Sequence, residues 1–135
     1  MTMRVRAALV LCLLTGLALA RVAFAQEGHP LVGTWYGDWG TSPTQRTQIT
    51  VVMTWDGKNI SGIIDPGPDA YPIKTATLDS TKWILHLEAD SKDRSGNPVH
   101  IVADGKLENI GSYNRTLTGT WNQGTTKADF KLRRD

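Results

Sequence analysis

The chain of 135 residues has a single cysteine, Cys12, and it sits inside an apolar N-terminal run. Everything after it lacks a thiol. That excludes disulfide staples, thiolate metal ligands and a cysteine nucleophile from the remainder. Long apolar runs are also missing. Only residues 7–20 form one, and that is too short to span a bilayer. From Leu31 onward no segment repeats its apolar residues with the 3.6-residue period of an amphipathic helix. No block of like charges stands out that would mark a nucleic-acid or anionic-membrane surface.

The first residues explain the cysteine and the charge. Arg4 and Arg6 precede the apolar stretch Ala7 to Ala20, and Ala23-Phe24-Ala25 follows as a small-x-small site. This is the pattern of a secretory signal. Cleavage is expected after Ala25, with Ala20 as the alternative. Leu11 is too bulky for the position before a lipid-modified cysteine, so lipidation is rejected. Arg4, Arg6 and Arg21 leave with the signal, taking 15 basic residues to 12 against 13 acidic ones. The exported domain is then near −1, despite the basic pI of about 8.8 for the full chain. The expected organisation is a signal peptide over 1–25 and one domain over 26–135, in the periplasm or the medium.

What the rest contains is alternation. Ile49, Val51, Met53 and Trp55 interleave with Gln48, Thr50, Val52 and Thr54. Trp83, Leu85, Leu87 and Ala89 interleave with Ile84, His86 and Glu88, and Ala128, Phe130 and Leu132 with Lys127, Asp129, Lys131 and Arg133. A period of two rich in β-branched and aromatic residues predicts strands with one buried face. Asp56-Gly57, Asp65-Pro66-Gly67-Pro68-Asp69, Asp79-Ser80-Thr81-Lys82, Ser95-Gly96-Asn97-Pro98 and Asn122-Gln123-Gly124 punctuate them as turns. Eight strands result, near 31–39, 46–55, 59–65, 71–78, 83–89, 99–107, 115–121 and 126–133. Pro72 weakens the fourth, predicting a bulge or an opening there. Short, even connections predict an all-β, single, eight-stranded antiparallel up-and-down β-barrel, which removes its edges by closing.

Gly-Thr-Trp occurs at 33–35 and again at 119–121. In a closed meander the first strand meets the last. Gly33, Trp35, Gly37 and Trp39 share one face, and so do Leu117, Gly119 and Trp121. Bare glycines leave room for rings and let strands coil at barrel corners. Strand direction then predicts Trp35, Trp55, Trp83 and Arg133 in the lower half, as a plug with Gly33. Arg133 has outward parity and must curl under the rim, or Arg134 takes its place. Trp39, Tyr71 and Trp121 are predicted near the top, at a rim lined mostly by aromatic rings.

Gly33-Thr34-Trp35-Tyr36 with a terminal Arg133 or Arg134 resembles the start and end of the lipocalin and avidin group of small barrels. The chain from Gly33 to Arg134 also resembles small secreted bacterial barrel proteins of unknown function that begin and end on G-T-W. The resemblance implies a calycin-like barrel able to enclose a small ligand. It does not imply biotin, because Gly37-Asp38-Trp39 replaces the polar run that contacts biotin in avidins. The cysteines common in lipocalins are absent as well. No ligand contact carries over.

Other chemistry is thin. His86 and His100 are expected roughly opposite each other, and Glu88 and Asp104 would complete a divalent metal site. Spacing fixes no third ligand, so an exposed polar pair is the expectation and no metal is assigned. The acidic loops 65–69 and 90–93 lack a calcium-loop pattern and read as solvated turns. Asn59-Ile60-Ser61 and Asn114-Arg115-Thr116 match glycosylation sequons but read as turn asparagines. There is no serine elbow and no histidine–acid motif, so neither an enzyme nor a cofactor is expected. The expected function is non-catalytic binding of a small apolar or aromatic molecule at the rim of Trp39, Tyr71 and Trp121. The alternative is a protein-interaction module, a periplasmic inhibitor or envelope partner with a filled barrel, working through loops 65–70 and 90–98. Neither nucleic acid nor a membrane span is expected.

Overall fold

A computed structural model describes residues 28–134. The expected signal segment lies outside the described residues. The eight strands are β1 (Gly33–Ser42), β2 (Gln45–Trp55), β3 (Ile60–Ile64), β4 (Tyr71–Asp79), β5 (Ile84–Lys92), β6 (Pro98–Glu108), β7 (Thr116–Gln123) and β8 (Thr126–Arg134). Each pairs antiparallel with its neighbours in chain order, and β8 returns to β1 to close the barrel. Every described element is a strand, and no described helix is long and apolar enough to cross a membrane.

Turn chemistry sets the hairpins. Asp56 Oδ1 accepts from the Lys58 and Asn59 amides, and Asp79 Oδ1 from those of Thr81 and Lys82. Asp93 Oδ1 does the same for Ser95 and Asn97. In each case an aspartate satisfies backbone donors that have left the ladder. The weak fourth strand has both expected defects. Its register shifts between Ile73 and Thr75, and it pairs with β3 only at Ile63–Pro72 and Ile64–Tyr71.

The interior is filled by the inward positions of all eight strands, including Trp35, Val51, Met53, Ile64, Leu85, Leu107, Leu117 and Leu132. The lower end is closed by the segment before β1. Leu31 is fully buried, and the Trp35 indole donates to its carbonyl at 2.8 Å. Arg115 ties this segment down, donating to Pro30 O at 2.9 Å and to Ile110 O at 2.8 Å. Trp55 and Trp83 are half-buried at this end, Trp55 tilted against the His29 ring at 5.4 Å.

The basic partner at this end differs from the one first expected. Arg133 points outward and is exposed. Arg134 reaches Val32 O at 3.3 Å instead, and its stem would lie 3.0 Å from a Cβ on Gly33. Gly33 holds φ +134°, a backbone few other residues adopt. The parity of β8 decides the matter: Arg133 shares the outward face with Lys131, while Arg134 follows Leu132 by two.

The inner glycines serve strand approach more than ring space. A Cβ on Gly37 would fall 1.8 Å from the Lys131 carbonyl oxygen, and one on Gly119 1.9 Å from that of Asp104. Of the two Gly-Thr-Trp glycines, Gly119 therefore serves close strand approach, while Gly33 serves a positive φ beside the Arg134 stem. Outside the closure, Arg46 joins three strands, binding Asp38 at 2.6 Å and Asp129 at 3.0 Å.

Candidate functional site

Above the filled interior the barrel opens into a cavity of about 680 Å³. Its walls come from the end of β1, the β3–β4 loop, the start of β4, the β5–β6 hairpin and the end of β7. That volume lies within the range of small-molecule sites.

The floor is aromatic. Trp39 stacks on Trp121 with centroids 5.9 Å apart and planes 19° from parallel, and Phe130 meets Trp121 edge-on at 5.8 Å. Strand directions make this meeting inevitable, because β1 and β7 both run toward this end and Trp39 pairs with Phe130 across the closure. Trp39 and Tyr71 line the cavity. Trp121 does not, although it was expected at the rim; it is buried beneath Trp39, and its indole donates to Gln123 Oε1 at 3.1 Å. An indole only donates, so the amide oxygen of Gln123 must face it. The NH₂ end is then turned away, and Gln123 is itself a wall of the cavity.

The remaining lining departs from the mostly aromatic rim expected. Asp65, Asp69, Asp90 and Asp93 all contribute, with Lys92 as the one cation among the described residues. The loops carry them there for backbone reasons. Asp65, at φ +52°, ends β3 by donating its amide to Thr50 O at 2.7 Å and accepting the Thr50 amide on its carboxylate at 3.0 Å. Asp93 caps its own turn, as described above. Ser91 is the single buried polar residue among the described ones, and it too lines the cavity. It follows Leu85, Leu87 and Ala89 on the inward face of β5. A polar residue at an inward position was the legible sign that this strand ends at something other than core. Burial, with Asp65 nearby, pushes the Tyr71 phenol up to about 12, so it stays a neutral hydroxyl.

A second cluster runs across the outer face of β5 and β6. His86 faces Asp104 in the register and His100 faces Asp90, so the histidines are offset along the strands rather than opposite. Glu88 lies between them. His86 reaches Asp104 with Nδ1 at 2.6 Å and Glu88 with Nε2 at 3.3 Å; His100 reaches Asp90 with Nδ1 at 2.7 Å and Glu88 with Nε2 at 3.0 Å. Lys74 pairs with the other oxygen of Asp90. Each imidazole thus meets a carboxylate at both nitrogens, and only the protonated ring has two donors. The Asp104 hydrogen bond raises the pKa of His86 and the Asp90 hydrogen bond that of His100. The His100 hydrogen bond holds Glu88 below its ordinary value, and Lys74 does so for Asp90. Among the described residues no three such donors are grouped to hold a metal. The cluster is a ladder of cross-strand ion pairs.

Compared with family models, with curated proteins and with solved structures, the chain finds no match in any of the three.

Proposed function

We propose that this protein is a non-catalytic exported binding protein that takes a small molecule with an aromatic or apolar body into the barrel mouth, against Trp39 and Tyr71. The observation that carries this reading is the cavity of about 680 Å³ standing on a stacked indole pair, above an interior that is otherwise filled. One face of Trp39 is covered by Trp121, which leaves the other for a ligand ring. The closed eight-stranded meander and the Gly33-Thr34-Trp35-Tyr36 start support kinship with the lipocalin and avidin barrels. Trp121 supports the site from below rather than touching the ligand.

The reading is tested by titrating the protein with an apolar fluorescent probe, alongside Trp39→Ala and Tyr71→Ala. Saturable binding that both variants weaken is the expected result. Absence of binding to the wild type would remove the reading. The interaction-module alternative then takes its place, favoured by the exposed stretches Pro66–Ala70 and Lys92–Pro98 beside the mouth. Mass spectrometry of protein purified natively from its own host gives an independent check, since a mouth ligand should co-purify.

A further inference from the structure

We infer that the ligand of this mouth is a small organic cation, an ammonium group carried on an aromatic or apolar body. This rests on the binding reading above and names its chemical class. The cavity lining offers both a π-face and acceptors. Trp39 presents its free face, and a cation over an indole is attracted by the ring quadrupole.

The same wall carries Asp65, Asp69 and Asp93, and among the described residues none of them forms a salt bridge. Asp65 accepts one backbone amide and Asp93 two, each on one oxygen, which orients the carboxylate without neutralising it. Asp90 is different, since Lys74 and His100 already balance it. Among the described residues Lys92 is the only cation in the wall, so the mouth they form carries excess negative charge.

Ser91 points the same way independently. It is only 8% exposed, and its one proton goes to Val99 O at 3.4 Å. Both lone pairs of that buried hydroxyl remain as acceptors. A neutral apolar ligand would cover the remaining carboxylate oxygens and the Ser91 lone pairs and leave them without partners, at the cost of desolvation. An anion would meet three like charges. An ammonium group satisfies the acceptors and gains from the field.

Three phenyl compounds of nearly equal size separate the possibilities: 2-phenylethylamine, 2-phenylethanol and phenylacetate. Calorimetric titration gives affinities, and the Trp39 indole N–H signal in NMR reports location. The amine is expected to bind about tenfold or more tighter than the alcohol, with the acid weakest. That preference should shrink toward parity in about 1 M salt, where the screening length is ~3 Å. It should also shrink in the double variant Asp65→Asn, Asp69→Asn, whose fold is checked by its amide spectrum. Trp39→Ala should weaken both amine and alcohol, and the amine more, since only the cation loses the attraction of the ring quadrupole. If the alcohol matches the amine, or the acid exceeds it, the inference of a cation is wrong and the cavity reading stands. The same holds if the amine's advantage survives the double variant. If none of the three shifts the Trp39 signal, the cavity reading itself falls.

Discussion

Replacing Trp35 with alanine is expected to cost about 3–5 kcal/mol of folding free energy, as for other buried indoles and phenyl rings. The ring is fully buried among the lower core residues and cannot be replaced by water without opening the barrel floor. Its N–H also holds Leu31 O at 2.8 Å, so truncation leaves a buried carbonyl without its donor, adding about 1 kcal/mol or more. For a domain of this size that loss lowers the melting temperature by roughly 15–30 °C. It is also a large part of the 5–15 kcal/mol total typical of a folded domain. Trp35→Phe separates the two contributions, keeping most of the volume and removing only the donor; about 1–3 kcal/mol is expected. Trp39→Ala is the control. Trp39 is half-exposed and borders a cavity, so its truncation creates no enclosed void and is expected to cost about 1–2 kcal/mol. Urea denaturation followed by far-UV circular dichroism, with a matching thermal series, measures all three. Equal midpoints for Trp35→Ala and Trp39→Ala, or the reverse order, would refute the assignment of a filled lower half and an open mouth.

The histidine ladder predicts a pH window. Histidines raised by their partners contribute stability fully below the unfolded value of about 6.5, and lose it as pH rises through their folded values. The lowered carboxyls of Glu88 and Asp90 contribute above their ordinary values and lose this as pH falls through the folded ones. The ladder is therefore strongest between those limits. NMR titration should place His86 above the ordinary value and return it toward that value in Asp104→Asn; a normal His86 in the wild type contradicts the geometry. Arg134→Ala should cost about 1–2 kcal/mol through the lost Val32 contact and stem packing, while Arg133→Ala should stay within about 0.5. Chemical denaturation distinguishes them, and equal effects would mean that the parity of β8 is misassigned. Gly119→Ala puts a methyl group against the Asp104 carbonyl and should cost about 2–3 kcal/mol or more, read as the same midpoint shift. N-terminal sequencing of exported protein should begin at Gln26; a start before residue 20 would contradict a cleaved signal.

Much of this molecule follows from short-range pattern. The period of two in residues 48–55, 83–89 and 127–133 sends every second side chain to one face, so β2, β5 and β8 and their buried residues are legible without any partner strand. Aspartates at 56, 79 and 93 mark turns because their side chains cap nearby amides, again a local effect. Alternating strand direction then sends Trp39, Tyr71 and Trp121 to the same end. What the chain could not reveal by itself depends on register and on loop conformation, which are set between segments distant in sequence. Register offsets His86 from His100 and inserts Glu88 between them, so the expected polar pair is part of a longer ion-pair ladder. The stacking of Trp39 over Trp121 buries one indole beneath the other, so only one of them borders the cavity. The parity of β8 already set Arg133 outward, but only the pairing of β8 with β1 brings the Arg134 stem to Gly33. The acidic character of the mouth was hidden for the same reason. Aspartates that read as solvated turn residues become cavity walls only when the β3–β4 and β5–β6 loops come together over the end of the barrel.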